Sequence, residues 1–342
     1  MHNHTLLMLV GLLLLAIALG GGAMYLLAPL IIPDVEMISL TTLALSVAFL
    51  ALLIGIAFIW EGWRAGRDQP SPPLRMPRAW AWLILGAVSL AAGALMQHAT
   101  WAHYLFPPFH ILTISAWSGL LLSLVWSRLP RITIRESAIE IGYGAFAATT
   151  LSGIVEVVAF VVLGILAVVV TVALPGGEEW LEELRAWGES AAPLVNVETL
   201  SHLMLQPAIV VAIAIALVVI VPLIEESFKA LGVLLLMRQR PERQHALAWG
   251  LLCGLGFGWL ESLLTAASAG DGWVMVTMLR LLTIAIHAGT GALMGLGWHA
   301  AMQERRFWRL AGCYALAVVI HGAWNGLAIM GGLISLWPGL GS

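Results

Sequence analysis

The sequence predicts an all-α protein, a polytopic transmembrane helical bundle of about nine spans with its N-terminus in the cytoplasm. Two observations support this prediction. Hydrophobic residues make up 61% of the 342 residues and charged residues only 10%, compared with about 25% charged residues in soluble domains. The arginines also fall in alternate loops, as membrane topology requires. Because so few charges cannot cover a water-exposed surface, we expect most of the surface to face lipid.

Nine segments are long and apolar enough to cross a bilayer, which takes about 20 mostly apolar residues. They lie at about 6–28, 37–60, 79–97, 109–127, 143–174, 207–237, 245–269, 274–302 and 310–336. Pro222 lies inside the sixth segment and is expected to bend it, because proline has no backbone N–H to donate.

Arginine-rich loops alternate with loops that hold few or no arginines. The arginine-rich loops contain Arg64, Arg67, Arg75 and Arg78; Arg128, Arg131 and Arg135; Arg238, Arg240 and Arg243; and Arg305, Arg306 and Arg309. Basic loops stay in the cytoplasm, so the alternation places the C-terminus outside. Loop 175–206 is acidic, and its segment EEWLEELRAW has the apolar spacing of a short amphipathic helix on the outer surface. A solvated acidic linker is the alternative.

The chain divides by pattern into three regions. Residues 1–140 hold about four N-terminal spans, 141–206 the fifth span with the acidic loop, and 207–342 the remaining spans, which we expect to form a catalytic core. The scattered basic residues argue against a nucleic-acid partner. No cofactor-binding glycine loop is expected: GLGFG at 254–258 follows no strand, and small residues in a membrane helix more often allow close helix packing.

Ionisable residues inside predicted spans are costly in lipid and usually mark function. The sixth span holds Glu225, Glu226 and Lys229. At this spacing one carboxylate can pair with the ammonium while the other stays available as a general base or acid. The alternative is a helix that ends near residue 224, with these residues in a cytoplasmic loop. The apolar run that follows Lys229 favours the span.

The next three spans also carry polar residues at depth. Glu261 lies in the seventh span, Arg280 and His287 share one face of the eighth, and His321 and Asn325 are four apart in the ninth. Arg280 is expected either to reach towards the interface or to balance the carboxylates. Counting along the helices places all these groups near mid-membrane, so we expect them to meet.

Four motifs in this order, E-E-x-x-K, F-x-x-x-E, H-x-x-x-G and H-x-x-x-N, resemble those of the PrsW family of bacterial intramembrane proteases. That family is similar in turn to the CAAX prenyl endopeptidase and bacteriocin-immunity superfamily. The matching residues, within about 200–330, are Glu225, Glu226, Lys229, Phe257, Glu261, His287, Gly291, His321 and Asn325. Glu261 stands where the CAAX enzymes have histidine, which speaks against prenylated substrates. The resemblance implies peptide-bond hydrolysis in the bacterial plasma membrane, in membrane-anchored proteins such as the anti-sigma factors that are known family substrates.

Two chemistries fit the residues. We expect the catalytic residues to be Glu225, Glu226, Lys229 and Asn325, with either glutamate as the general base. In the first chemistry a Zn²⁺ ion is held by Glu261, His287 and His321, which leaves one position for water. In the second no metal is present, a carboxylate and a histidine activate water, and Asn325 stabilises the oxyanion. The HExxH signature of many zinc proteases is absent.

Two other functions fit a membrane bundle with buried charges. A proton-coupled transporter uses such groups as relays, but no inverted repeat of the kind found in many carriers is recognisable. A non-catalytic binding or scaffold protein of the same fold is the other alternative.

Overall fold

The computed structural model describes residues 4–31, 37–99, 101–189 and 206–336. Within these ranges the chain is almost entirely helical, and the only strand-like pairing is an isolated bridge between Pro73 and Thr133. Nine of the helices in the described ranges are long and apolar enough to cross a membrane. The predicted all-α, multi-pass fold is therefore confirmed. A helix suits lipid because it satisfies its own backbone hydrogen bonds.

The helices follow the predicted segments closely. In chain order they are α1 His4–Ile31, α2 Met37–Ala65, α3 Ala79–Met96, α4 Ala102–Trp126, α5 Ile134–Ala173, α6 Gly177–Glu189, α7 Pro207–Met237, α8 Arg243–Ala267, α9 Trp273–Glu304 and α10 Phe307–Leu336. Helix α6 confirms the short helix predicted in the acidic loop, whose later part lies outside the described residues.

Helix α5 begins nine residues earlier than predicted. A capping box starts it: the Thr133 hydroxyl accepts the Glu136 N–H at 3.2 Å, and the Glu136 carboxylate accepts the Thr133 N–H at 2.8 Å. The helix therefore includes Glu136 and Glu140, which the sequence placed in a loop. A π-helical turn follows at Tyr143–Ala148.

Helix α7 is irregular where Pro222 was expected to disturb it. A π-helical turn covers Ala216–Ile220, and the Val221 N–H bonds to the Ala216 carbonyl, five residues back. In this register the next donor would be Pro222, which has no N–H. The Leu217 carbonyl therefore needs a hydrogen-bond donor from outside the helix.

The chain forms two compact units. The first comprises residues 1–150 and 226–317, and the second comprises 151–225 and 318–342. The boundary falls between two consecutive residues of α7, Glu225 and Glu226. The first unit contains a large apolar core in which Leu50, Ile114 and Leu252 are fully buried.

Glycines bring α8 and α9 together in the first unit. A Cβ atom at Gly250 would collide with the Gly291 carbonyl, and one at Gly254 would collide with the His287 carbonyl. Small residues allow membrane helices to pack backbone against backbone. This confirms the packing role expected for the glycines of 254–258, and it fixes the position of His287 on α9.

Candidate active site

Buried charges of α7 and α9 meet in the first unit. Lys229 is 1% exposed, and its ammonium donates to the Glu226 carboxylate at 2.6 Å and contacts His287 Nδ1 at 2.7 Å. The Thr290 hydroxyl donates to the same Glu226 oxygen at 3.2 Å. The Phe257 ring lies 4.4 Å from the ammonium, within the range of a cation–π contact. The lysine charge is therefore compensated by several groups.

The contacts of His287 define its tautomer. An ammonium donates hydrogen bonds and accepts none, so His287 Nδ1 must accept from Lys229. The ring proton then lies on Nε2, which donates to the Glu261 carboxylate at 2.7 Å. The imidazole is thus neutral and links a cation on one side to an anion on the other.

Glu261 is tied to a second cation. The Arg280 guanidinium lies 2.5 Å from Glu261 Oε2, the oxygen that also accepts from His287. Arg280 Nε in addition donates to the Ser262 hydroxyl at 3.0 Å. Of the two roles that the sequence allowed for Arg280, the structure shows the balancing of a carboxylate.

Glu225 and His321 form a pair in the second unit. Their side chains are buried, and His321 Nε2 lies 3.7 Å from Glu225 Oε2. One turn after His321, the Asn325 amide donates to the Leu217 carbonyl at 2.9 Å. This contact supplies the donor that the π turn and Pro222 leave missing in α7.

The predicted residues therefore fall into two groups. In the first unit the structure joins Glu226, Lys229, Glu261 and His287 in one hydrogen-bonded network, which explains why these polar residues are tolerated within spans. In the second unit Glu225 is paired with His321, and the Asn325 amide donates a hydrogen bond to the Leu217 carbonyl. Thr290 and Ser262 were not predicted, although Thr290 follows His287 by three residues and so shares its helix face.

A further buried carboxylate, Glu140 of α5, was also missed. It is fully buried, and neither of its oxygens has a hydrogen-bond partner among the described residues. The capping-box pattern T-x-x-E at 133–136 was the signal that could have placed it inside a helix.

The donor groups of this region are suited to a divalent metal ion. Imidazole nitrogen and carboxylate oxygen are both ligands of zinc. The lone pair of His287 Nδ1 and the Glu226 carboxylate already accommodate one cation, the Lys229 ammonium. The residues present therefore fit a metal ion by charge and by ligand type.

Comparison with known proteins agrees with the motifs. Residues 138–339 match the family model described as PrsW family intramembrane metalloprotease. No curated protein and no solved structure matches the chain significantly.

Proposed function

This protein belongs to the PrsW family of intramembrane proteases, whose model spans more than half of the chain, and from this premise we propose that it cleaves membrane-anchored proteins with a water molecule activated by a buried glutamate. The observation that carries the proposal is the network of Glu226, Lys229, His287 and Glu261 in helices that span the membrane. Ionisable groups persist at such positions when they face the protein interior and serve function.

We assign the metal-ligand role to Glu225, His287 and His321 from the types of their side chains, because carboxylate oxygen and imidazole nitrogen are both ligands of zinc. His287 would bind through Nδ1, because its Nε2 is engaged by a carboxylate. Lys229 would then leave Nδ1 and keep its bond to Glu226. Two observations support this choice. Glu225 is paired with His321, and Glu225 directly precedes Glu226 in the sequence. A bound divalent metal supplies a Lewis acid and a nucleophilic water at neutral pH.

Glu261 takes a supporting role in this assignment, in place of the ligand role expected from the sequence. Its Oε2 atom is already bound by both Arg280 and His287. Histidine ligands commonly donate their second ring N–H to such a carboxylate, which fixes the tautomer and the ring orientation.

Glu226 is the proposed general base. It accepts a proton from the attacking water and returns it to the leaving amine. Lys229 supplies the counter-charge that a buried carboxylate requires. Asn325 keeps one amide hydrogen on Leu217 and donates its second to the oxyanion of the tetrahedral intermediate.

A metal-free reaction is the second candidate, and the Glu225–His321 pair favours it. A carboxylate beside an imidazole can activate water directly. In this version Glu225 is the base, and the metal content of the protein distinguishes the two versions.

We further propose that the substrates are single-span proteins of a bacterial plasma membrane, with anti-sigma factors as the first class to test. A substrate helix must unwind locally before cleavage, because its amides are hydrogen-bonded.

The test uses four variants of the full chain, Glu225→Gln, Glu226→Gln, His321→Ala and the exposed control Glu178→Gln. Each is co-expressed with a tagged single-span protein, cleavage is followed by immunoblot, and the metal content of the purified protein is measured. We expect Glu226→Gln to retain metal and to lose about 100-fold or more in cleavage. Glu225→Gln and His321→Ala should lose both metal and cleavage, and Glu178→Gln should lose neither.

Other outcomes contradict parts of this proposal. Full cleavage by Glu226→Gln would remove Glu226 as the base. Cleavage that persists without metal and in the presence of a chelator would favour the metal-free reaction. If neither the unaltered chain nor any variant cleaves a single-span protein, a binding or scaffold role is favoured.

A further inference from the structure

A cavity of about 460 Å³ lies between the ends of α8, α9 and α10 in the first unit, at an arginine-rich loop. None of the proposed catalytic or metal-binding residues lines it. Arg243 lines it from α8, His299 and Glu304 from α9, and Arg309 from α10.

The cavity changes from polar to apolar along its length. On α10, Arg309, Gly312, Cys313 and Leu316 line it, and this spacing places them on one helix face. With a rise of about 1.5 Å per residue, the charged end and the apolar end are about 10 Å apart. A phospholipid shows the same order, with a headgroup followed by acyl chains.

The polar end carries an excess of positive charge. Arg309 and Arg306 both approach Glu304, at 2.9 and 3.5 Å. Arg243 has no ion pair within the part of the chain that the structure describes. Two arginines, Arg243 and Arg309, line the cavity with a single carboxylate, Glu304, which leaves an excess of positive charge at this end.

The surroundings are those of a membrane interface. Trp308 is 72% exposed, and the Arg309 guanidinium lies 5.5 Å from its ring centroid. Exposed tryptophan beside arginine is typical of the headgroup level. Leu316, at the other end of the cavity, is 49% exposed, so that end opens to the side.

From these observations we propose that the cavity binds an anionic phospholipid, with its phosphate at Arg243 and Arg309 and an acyl chain along Gly312 and Leu316. Basic pockets between membrane helices bind such headgroups. The cytoplasmic leaflet, to which the arginine-rich loops are predicted to belong, is the anionic one.

The test measures lipid binding to the purified full chain by native mass spectrometry. The probes are phosphatidylglycerol, phosphatidylcholine with the same acyl chains, and inorganic phosphate as a competitor. The variants are Arg243→Gln, Arg309→Gln and the control Arg131→Gln, an exposed arginine on another loop. We expect phosphatidylglycerol to be preferred, each pocket variant to weaken its binding about fivefold, and the control to leave it unchanged.

A filling variant tests the apolar end independently of charge. A Cβ atom at Gly312 would meet no described atom within 4 Å, so Gly312→Leu can enter the cavity without displacing the backbone. It should abolish the preference for phosphatidylglycerol while the melting temperature is retained.

Three results would overturn the proposal. These are equal binding of the two lipids, equal loss in the Arg131→Gln control, and displacement of the lipid by millimolar phosphate, which would indicate a site for free anions.

Discussion

Two helix pairs of the first unit, α1 with α2 and α8 with α9, both pack closely through glycines, but they differ in the polar groups that they bury. Between α1 and α2, a Cβ atom at Gly11 would meet the Ile59 side chain at 2.6 Å and the Gly55 carbonyl at 2.9 Å. Between α8 and α9, Gly254 lies against the His287 carbonyl. Helix α1 contains no charged residue, whereas α8 and α9 carry Glu261, Arg280 and His287.

The difference shows what close packing is used for. In the first pair the glycines meet apolar side chains and backbone, and the buried Glu61 of α2 is paired with Arg135 of α5. In the second pair close packing also sets the distance between hydrogen-bonding groups, because the glycines of α8 hold the backbone of α9 beside Glu261. An error of about 1 Å in such a site lowers activity strongly. A change in packing should therefore affect stability in both pairs and chemistry in only one.

The largest effect is expected from Gly254→Ala. Its methyl group would collide with backbone, which cannot move aside as a side chain can. We expect a loss of about 3 kcal/mol in unfolding free energy and the loss of substrate cleavage. The measurements are thermal unfolding in detergent and the co-expression cleavage assay. Gly289→Ala is the control, since its Cβ would meet no described atom within 4 Å; an equal loss there would contradict the explanation.

Next is the ion pair between α8 and α9. A double-mutant cycle of Glu261→Gln and Arg280→Met should give a coupling energy of about 1–2 kcal/mol. The value is moderate because the Glu261 side chain is 28% exposed, and partial exposure to solvent weakens an ion pair. Denaturant unfolding of the four proteins measures the coupling, and additive effects would show that the two groups do not interact in the membrane.

A smaller effect of opposite sign is expected at Glu140. Its carboxyl group is buried without a hydrogen-bond partner among the described residues, which costs about 1–3 kcal/mol for a polar group. Glu140→Leu should therefore raise the unfolding free energy by about 1 kcal/mol. Glu136→Leu, one turn earlier, should lower it, because Glu136 completes the capping box and accepts from Trp249. Destabilisation by Glu140→Leu would indicate a bound water or cation.

The smallest effect is expected from Gly11→Ala in the first pair. The added Cβ would lie 2.9 Å from the Gly55 carbonyl, compared with 1.9 Å from the His287 carbonyl at Gly254, so the helices need to move apart less. The loss should be about 1 kcal/mol, at the low end of the range for overpacking, and cleavage should continue at the normal rate. Gly20→Ala on the same helix is the control, with open space around its Cβ. A loss of cleavage in Gly11→Ala at retained stability would show that the first pair also positions the chemistry.

The sequence predicted the spans well because hydrophobic length and arginine alternation are local properties. It also predicted that Glu226, Lys229, Glu261 and His287 would meet, since a charge inside an apolar run is conspicuous; their catalytic and metal-binding roles stay predictions. It could not predict which carboxylate pairs with Lys229, because spacings of three and four residues both allow contact. Glu140 was missed because the start of α5 depends on a cap and not on hydrophobicity. The contact of Asn325 with Leu217 depends on a π turn, which has no clear sequence signature.

Lys229 is the only lysine among the 342 residues, and its ammonium is enclosed by Glu226, His287 and the Phe257 ring. A reagent that acylates amines has therefore a single side-chain target in the chain, and that target is shielded while the helices stay together. The rate of labelling, followed on the peptide that contains Lys229 so that the α-amine does not contribute, reports how often the interior opens. Labelling of Lys229 therefore measures how readily water reaches the buried groups, which hydrolysis inside a membrane requires.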